Sequence, residues 1–299
     1  MNSIFHEGEL AVQAQAGVQT MAARVGNSIK GEIPPVAAEF LAERPFIILA
    51  SLDAQKRVWA SMLTGNTQFI TPIDKQMVQI NPHKELADPV WQNLQQNNDV
   101  GLLAIDFAGR RRMRLNGKAT QHHNELRIRT EQVYANCPKY IQERLLIEPT
   151  TKRAQAQPIT ANQLSTSQQE WIAQADTFFI ATANPAGGVD ASHRGGNKGF
   201  VRVDNEQQLT WPDYAGNMMF NTLGNIAINP RTGLLFVDFV NGRLLQLTGK
   251  AEIIWDEARI AQFSGAERLV TFTIEQLIET QPSHNLNWIF GSYSPHNPR

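Results

Sequence analysis

Residues 190–203 hold the densest group of side chains that could do chemistry in this chain. The sequence there reads DASHRGGNKGFVRV, in which glycines separate His193, Arg194, Lys198 and Arg202. Glycine lets a backbone approach a ligand closely, and arginine and lysine donate charge-assisted hydrogen bonds to phosphate oxygens. This segment therefore predicts a site for a phosphate monoester, although a hairpin with solvated surface charges would contain the same residues.

A second polar segment follows at residues 211–230, which read WPDYAGNMMFNTLGNIAINP. It predicts a helix that begins near Asn217 and carries Asn221 and Thr222 in its first turns. The N-terminus of a helix offers free N–H groups and the positive end of the helix dipole, so it binds anions. A capped helix without a ligand is the alternative. Neither segment has the Rossmann or P-loop spacing, so a nucleotide would need another frame.

The chain contains the same unit twice. Residues 101–119 (GLLAIDFAGRRRMRLNGKA) and 233–251 (GLLFVDFVNGRLLQLTGKA) are identical at ten of nineteen positions with an offset of 132. A repeat of this length indicates a duplicated domain rather than a short solenoid unit. The predicted organisation is an N-terminal domain, a polar linker and a C-terminal domain over residues 1–149, 150–168 and 169–299.

The two copies differ at polar positions. After a one-residue slip, VWASMLTGNTQFI (58–70) aligns with VDASHRGGNKGFV (189–201), so that Arg194 replaces Leu63 and Lys198 replaces Thr67. A phosphate on the first copy would lose two charge-assisted contacts, each worth roughly 1.5–3 kcal/mol. We therefore expect one occupied site per chain, built mainly from the second copy. Candidate residues for a wall from the first copy are Trp59, Met62 and the segment around Cys137.

The elements that must position these residues are mainly strands. Apolar runs and alternations bounded by turn residues predict about six strands in hairpins and one embedded helix in each copy. This order indicates a mainly β (α+β) chain made of small closed antiparallel barrels rather than a βαβ sheet. Further helices are predicted over residues 7–27, 36–43, 124–148, 166–175 and 275–280.

Composition excludes several classes of protein. The net charge of −1 argues against nucleic-acid binding, and no apolar run is long enough to predict a membrane span. The basic run RRRMR (110–114) fits a solvated strand edge better than an anion contact. With one cysteine, Cys137, no intrachain disulfide is possible, and His122 and His123 lack neighbours at metal-ligand spacing. We expect a soluble cytoplasmic protein without a metal.

The segments ASHRGGNKGFVRV, LTWPDYAGNMMFNTLGNIAINPRTGLLFVDF and LLQLTGKAEI resemble the pyridoxamine 5′-phosphate oxidase-like family of FMN-binding split barrels. FHEGELAVQ near the N-terminus and NCPKYIQ (136–142) resemble a tandem subgroup of that family, sometimes fused to flavin/ferredoxin reductase modules. The resemblance covers nearly the whole chain and is most specific over 189–251. It implies two tandem antiparallel split β-barrels with flanking helices. It also implies FMN at a barrel–barrel interface, in a homodimer or an intrachain pseudo-dimer.

The resemblance also assigns residues to the cofactor. In the family pattern, the positions of Arg194 and Lys198 lie near the FMN phosphate, the helix start faces it, and the position of Gln246 lies near the flavin ring. With their neighbours on the hairpin, the FMN-binding residues expected here are Ser192, His193, Arg194, Lys198, Arg202, Asn217, Asn221, Thr222 and Gln246.

The function implied is that of an FMN-dependent oxidoreductase acting on a small redox substrate. One alternative is a non-catalytic flavin protein that exchanges electrons with a separate reductase. Another is a haem-binding split barrel, which would need His193 or His284 as an iron ligand. Residues 284–299 lack the substrate-binding Arg/His pattern of true pyridoxamine-phosphate oxidases, so we do not expect pyridoxal phosphate synthesis.

Overall fold

The computed structural model describes residues 3–123, 125–147, 157–282 and 286–298. Within these ranges the helices are α1 (Glu7–Gln15), α2 (Gln19–Gly26), α3 (Pro35–Ala42), α4 (Val90–Gln96), α5 (Thr166–Ala173), α6 (Asn221–Ile228) and α7 (Glu257–Ile260). None of them is long and apolar enough to cross a lipid bilayer.

The first copy forms a seven-stranded antiparallel sheet with the strand order β2-β1-β5-β6-β7-β4-β3. Its strands are β1 (Phe46–Leu52), β2 (Val58–Thr64), β3 (Ile70–Asp74), β4 (Met77–Ile80), β5 (Asp99–Asp106), β6 (Arg111–His122) and β7 (Glu125–Asn136). A separate two-stranded sheet pairs β8 (Arg144–Ile147) with a strand near the C-terminus, β17 (Asn287–Phe290).

The second copy repeats this sheet with the order β11-β10-β14-β15-β16-β13-β12, and β9 adds to β16. Its strands are β9 (Ile159–Ala161), β10 (Thr177–Ala183), β11 (Val189–Gly195), β12 (Arg202–Asn205), β13 (Gln208–Asp213), β14 (Arg231–Val237), β15 (Leu244–Ile254) and β16 (Arg268–Thr280). Each strand takes the position of its counterpart, so the structure confirms two tandem units of one fold.

Neither sheet closes into a barrel, which corrects the expectation of closed barrels. In the described ranges the terminal strands of each sheet, β2 and β3 or β11 and β12, pair only inward along the order given. Both sheets have flanking helices, as expected for split barrels. The limits of the domains stay a prediction from the sequence.

Strands β1 and β10 are buried on both faces, which explains their nearly continuous apolar sequences. In β1, Ile47 and Leu49 point into the core of the first copy. Their neighbours Phe46 and Ile48 point the other way, into an interface core shared by the two copies. Each copy thus has a core of its own, and a further core lies between the two copies.

Two glycines at matching positions of the repeat allow the copies to approach closely. A Cβ atom on Gly101 would lie 2.4 Å from the carbonyl oxygen of Val189, and one on Gly233 would lie 2.6 Å from that of Val58. Real Cβ atoms do not approach backbone this closely, so any side chain at either position must force the strands apart. The shared sequence GLL therefore marks the contact between the copies.

Two of the predicted helices are strands. Residues 125–136 form β7, and residues 275–280 belong to β16. The predicted helix 7–27 is divided into α1 and α2 at Gly17, which has a φ of 70°. Such a left-handed backbone cannot continue an α-helix.

Candidate functional site

A cleft of about 100 Å³ lies between the two copies. Strand β11 and the loop before α6 form one wall. Strand β6 and the segment after β7 form the other. The polar residues of the cleft include Arg112, Arg114, Asn136, Cys137, Lys139, Tyr140, Ser192, His193, Arg194, Asp213, Tyr214, Asn217, Asn221 and Thr222.

The cleft is strongly cationic. It is lined by the side chains of Arg112, Arg114, Lys139 and Arg194, whereas the lining includes one carboxylate, that of Asp213. Charges of one sign in a concave, partly desolvated site raise the local concentration of ions of the opposite sign. The cleft is therefore suited to an anionic ligand.

Arg112 and Arg114 reach the cleft because they alternate along β6 with residues that face elsewhere. Arg114 is 4% exposed and forms an ion pair with Asp190 of β11 at 2.6 Å. Among the described residues, no carboxylate lies within ion-pair distance of Arg112, whose Nη1 instead donates to Nδ1 of His193 at 2.7 Å. Arg112 thus keeps a positive charge that the cleft does not neutralise.

His193 is a buried, neutral imidazole. Burial, together with the positive charges of Arg112, Arg194 and Arg144, holds its pKa well below the usual range. Because Nδ1 accepts the hydrogen bond from Arg112, the neutral ring carries its hydrogen on Nε2. That Nε2 is buried and has no partner among the described residues. A haem iron could bind His193 only through a ring nitrogen, but Nδ1 is bonded to Arg112 and Nε2 is buried. The other proposed haem ligand, His284, lies outside the described residues.

Arg194 lies on the opposite wall and is held loosely. Its Nη1 donates to Ser192 Oγ at 3.0 Å, and its nearest carboxylate, Asp213, is 3.9 Å away. Asp213 also faces Arg268 at 3.6 Å, so one carboxylate is shared by two arginines. Burial raises the pKa of Asp213 despite these neighbours. Arg194 therefore has hydrogen-bonding capacity left for a ligand.

Helix α6 begins in the cleft with its first N–H groups uncapped. No side chain of the described residues caps its N-terminus, and the preceding Met218 and Phe220 have left-handed φ values of 64° and 61°. Left-handed backbone at residues with bulky side chains costs about 1–3 kcal/mol each and is concentrated at functional sites. The helix start thus presents free donors beside Asn217, Asn221 and Thr222.

A closed ring of hydrogen bonds supports the cleft from behind. Glu9 Oε1 accepts from Asn221 Nδ2, and Asn221 Oδ1 accepts from Arg114 Nη1 at 3.5 Å. Arg114 forms the ion pair with Asp190, which in turn accepts from Asn225 Nδ2 at 3.0 Å. Asn225 Oδ1 lies 3.0 Å from His6 Nε2. The backbone N–H of His6 closes the ring by donating to Glu9 at 2.9 Å. The ring joins the N-terminal helix to both copies. Glycines allow this approach, since a Cβ on Gly8 would lie 2.2 Å from the carbonyl oxygen of Gly224.

We expect Glu9→Gln to reduce the loss of stability that accompanies rising pH. Burial raises the pKa of Glu9 to about 7 from an ordinary value of 4.5. The folded state therefore binds the proton more tightly than the unfolded state, and stability falls as pH rises from about 4.5 to about 7. Urea unfolding measures the free energy of unfolding at pH 5 and at pH 8. The decrease between these two pH values should be smaller by about 2 kcal/mol in Glu9→Gln than in the wild type.

Glu7→Gln is the matched control, because Glu7 is exposed on the same helix. It should keep the pH dependence of the wild type. A Glu9→Gln chain with the wild-type pH dependence would show that Glu9 ionises in the folded protein as it does in water.

The first copy has a closed counterpart of the cleft. The cavity beside Met62, Asp88 and Leu244 measures about 10 Å³, too small for more than one water molecule. The carboxylate of Asp88 occupies the start of α4, where it accepts from Ser61 Oγ at 2.6 Å and from Val90 N at 2.9 Å. Helix α4 is the counterpart of α6. The anion position at the start of this helix is thus filled by the protein's own carboxylate.

The structure brings together six of the nine residues predicted to bind the cofactor. The six lining the cleft are Ser192, His193, Arg194, Asn217, Asn221 and Thr222. The others lie elsewhere. Lys198 is exposed beside a different groove, and Arg202 pairs with Asp204 at 2.6 Å on the surface. Gln246 is fully buried near the closed cavity and donates to Ala60 O at 3.0 Å.

Of the three candidate wall residues, Cys137 lines the cleft, whereas Met62 lines the closed cavity. Trp59 is buried and donates to Asp53 at 3.1 Å. His122 and His123 lie in a surface depression, and among the described residues no group of three metal-ligating side chains is placed to hold a metal ion.

Sequence reasoning missed the contribution of β6 to the cleft. The run RRRMR in the sequence indicates a solvated edge, yet Arg112 and Arg114 form much of the first-copy wall. Alternation along a strand indicates that these two share a face. The sequence holds no signal for what that face meets.

A sequence model of the family described as "Pyridoxamine 5'-phosphate oxidase" matches the chain twice, over residues 33–158 and 164–284. No protein with a curated description matches the chain.

Several solved structures are similar to parts of the chain. A protein from Clostridium acetobutylicum related to general stress protein 26 of B. subtilis (pyridoxinephosphate oxidase family) is 14% identical, with a TM-score of 0.32, covering 42% of this chain and 92% of its own. The HupZ protein of Group A Streptococcus is 15% identical, with a TM-score of 0.34, covering 41% and 98%. An FAD binding protein from Mycobacterium smegmatis is 15% identical, with a TM-score of 0.29, covering 43% and 100%.

Proposed function

Because the chain belongs to the pyridoxamine 5′-phosphate oxidase family, we propose that it binds one FMN per chain in the cleft between its two copies and is a flavin-dependent oxidoreductase. The observation that carries this proposal is the uncapped start of α6 inside a cleft with four cationic side chains and one carboxylate. A helix N-terminus with arginines beside it has the chemistry of a phosphate site.

The donor set fits a flavin phosphate. The nearest carboxylate to Arg194, that of Asp213, is 3.9 Å away and is shared with Arg268, so the guanidinium keeps hydrogen-bonding capacity for a ligand. A phosphate beside Arg194 would accept charge-assisted hydrogen bonds, each worth about 1.5–3 kcal/mol. Arg194 and the first N–H groups of α6 would hold the phosphate, with Asn217 and Thr222 beside them.

The first-copy wall completes the site. Arg112 donates to Nδ1 of His193 and so fixes the orientation of its ring, and Arg114 keeps Asn221 in place through its amide oxygen. The bound FMN would supply the redox chemistry. The protein would supply position, positive potential for the reduced ring's charge, and exclusion of water.

One FMN per chain is expected because the counterpart site is closed. Asp88 would repel a phosphate at the start of α4, and Leu63 supplies no charge where the second copy has Arg194. The two copies then pair within the chain as a pseudo-dimer.

The absorbance spectrum of the purified chain tests the proposal, with the released cofactor identified by mass and quantified per chain. We expect a yellow protein with about one FMN per chain. A colourless protein that also fails to take up added FMN would contradict the proposal, and two FMN per chain would contradict the closed first copy.

Oxidation of NADH or NADPH by the isolated, flavin-loaded protein separates an enzyme from an electron carrier. Turnover with a small acceptor supports the oxidoreductase. A loaded protein that is reduced only when a separate reductase is added would instead be a non-catalytic electron-transfer partner.

A further inference from the structure

The segment after β7, residues 137–143, belongs to no helix or strand yet forms one side of the cleft mouth. It contributes Cys137, Lys139 and Tyr140 to the lining. Tyr140 spans the mouth, because its hydroxyl donates to Ala215 O at 3.0 Å and its ring lies 5.2 Å from that of Tyr214. Tyr140 is therefore the point at which the first-copy wall meets the second copy above the cleft.

Gln142 ties this segment to the second copy. It is fully buried, and its Nε2 donates to Gly196 O at 3.0 Å and to Tyr140 O at 3.1 Å. Its Oε1 accepts from Ser294 N at 2.7 Å and from Asn297 Nδ2 at 3.1 Å. One buried amide thus joins the first copy, the second copy and the C-terminus.

The C-terminal tail, residues 291–298, fastens the same segment from outside. Ser294 Oγ accepts from Tyr140 N at 3.2 Å, and Ser292 Oγ donates to Glu143 at 2.6 Å. Asn297 Nδ2 reaches Asn197 of the glycine-rich hairpin at 3.0 Å. No residue of the tail lines the cleft itself.

The backbone of Tyr140 also packs closely against Gly195. A Cβ on Gly195 would lie 2.0 Å from the carbonyl oxygen of Tyr140, so this approach requires glycine. Tyr140 has a left-handed φ of 67°, which the surrounding bonds must maintain. Hydrogen bonds at its N–H, carbonyl and hydroxyl fix it in one position.

We propose that Gln142 is a positioning residue which, together with the C-terminal tail, holds Tyr140 across the mouth of the cleft as an aromatic cover for the bound flavin. This inference rests on the proposed FMN site. A cover that is fixed before binding loses little conformational entropy when the ligand arrives, so it increases affinity. Tyrosine beside a flavin ring also quenches its fluorescence by electron transfer, which gives the cover a signature separate from stability.

The test compares FMN affinity and bound-flavin fluorescence in Gln142→Leu and in a chain that ends at Phe290. We expect roughly tenfold weaker FMN binding in both, with brighter bound flavin, because Tyr140 is no longer held in place. The exposed Gln174→Leu should match the wild type in both readouts. Ser294→Ala, which removes the hydroxyl that accepts from Tyr140 N, is the milder variant if Gln142→Leu does not fold.

A double-mutant cycle separates positioning from general stability. Tyr140→Leu alone should brighten the bound flavin, and adding Gln142→Leu to it should change the fluorescence no further. Additive changes, or variants that bind FMN with the affinity and fluorescence of the wild type, overturn the role of Gln142. A wild-type chain that takes up no FMN overturns the proposed function and this inference together.

Discussion

Replacing Arg194 with alanine is expected to weaken FMN binding by roughly tenfold to a hundredfold. The side chain lies in the cleft with its nearest carboxylate 3.9 Å away, so its guanidinium is available to the phosphate. A charge-assisted hydrogen bond contributes about 1.5–3 kcal/mol, which sets this range. Titration of the apoprotein with FMN, followed by quenching of flavin fluorescence, measures the change directly.

Two neighbouring cations serve as controls for this experiment. Arg202 pairs with Asp204 on the surface, and Lys198 lies beside a different groove. Alanine at either position should leave FMN affinity near that of the wild type. A loss at Arg202 comparable to that at Arg194 would contradict the cleft as the FMN site and favour the assignment made from the sequence.

Replacing Gly233 with alanine is expected to destabilise the fold by about 3 kcal/mol. The new methyl group would lie 2.6 Å from Val58 O and 2.9 Å from Trp59 Cα. Both are backbone atoms of a strand in the other copy, so relief requires the two copies to separate rather than a side chain to turn. The same cost is expected for Gly101→Ala, its counterpart in the repeat.

Urea unfolding measures this effect, and Gly31→Ala is the control. The nearest atom to a Cβ on Gly31 is 3.6 Å away, an ordinary contact. Unchanged stability in Gly233→Ala would show that the copies do not pack as the structure has them. A cooperative loss of stability together with weaker FMN binding would show that FMN binding depends on the packing between the two copies.

The strands and the duplication could be predicted because their signals are local. Apolar runs and turn residues define most strands, and sequence identity over 101–119 and 233–251 defines the repeat. The sequence predicts a helix where β7 lies, although Leu126 and Ile128 alternate with arginines at the period of a strand. Many residues with high helix propensity lie in this segment, so its composition favours a helix more strongly than the short apolar alternation favours a strand.

Most of the cleft residues that could be predicted lie in the second copy, and Cys137 is the one expected wall residue of the first copy that lines the cleft. Ser192, His193 and Arg194 belong to the same copy as the helix start that they face. Arg112 reaches the same cleft from the other copy, and its place depends on how the two sheets pack. No spacing along the chain encodes that packing, because side chains that meet across an interface share no periodicity.

The position of Gln246 away from the cleft also follows from how the two copies pack against each other. At the repeat offset of 132, Gln246 corresponds to Arg114, so both occupy one position on equivalent strands. In each copy, the side chain at this position reaches across the interface to the helix start of the other copy. Arg114 therefore lines the cleft, whereas Gln246 lies against Asp88 beside the closed cavity, with Nε2 to Oδ2 at 3.3 Å.

Both walls of the cleft belong to one polypeptide, since Arg112 and Arg194 are parts of the same chain. A cofactor site shared by two separate subunits is lost when the subunits dissociate, so its occupancy falls as the protein is diluted. Here the second wall is tethered at a fixed, high effective concentration. Retention of the flavin should then depend on the concentration of free FMN and not on the concentration of protein.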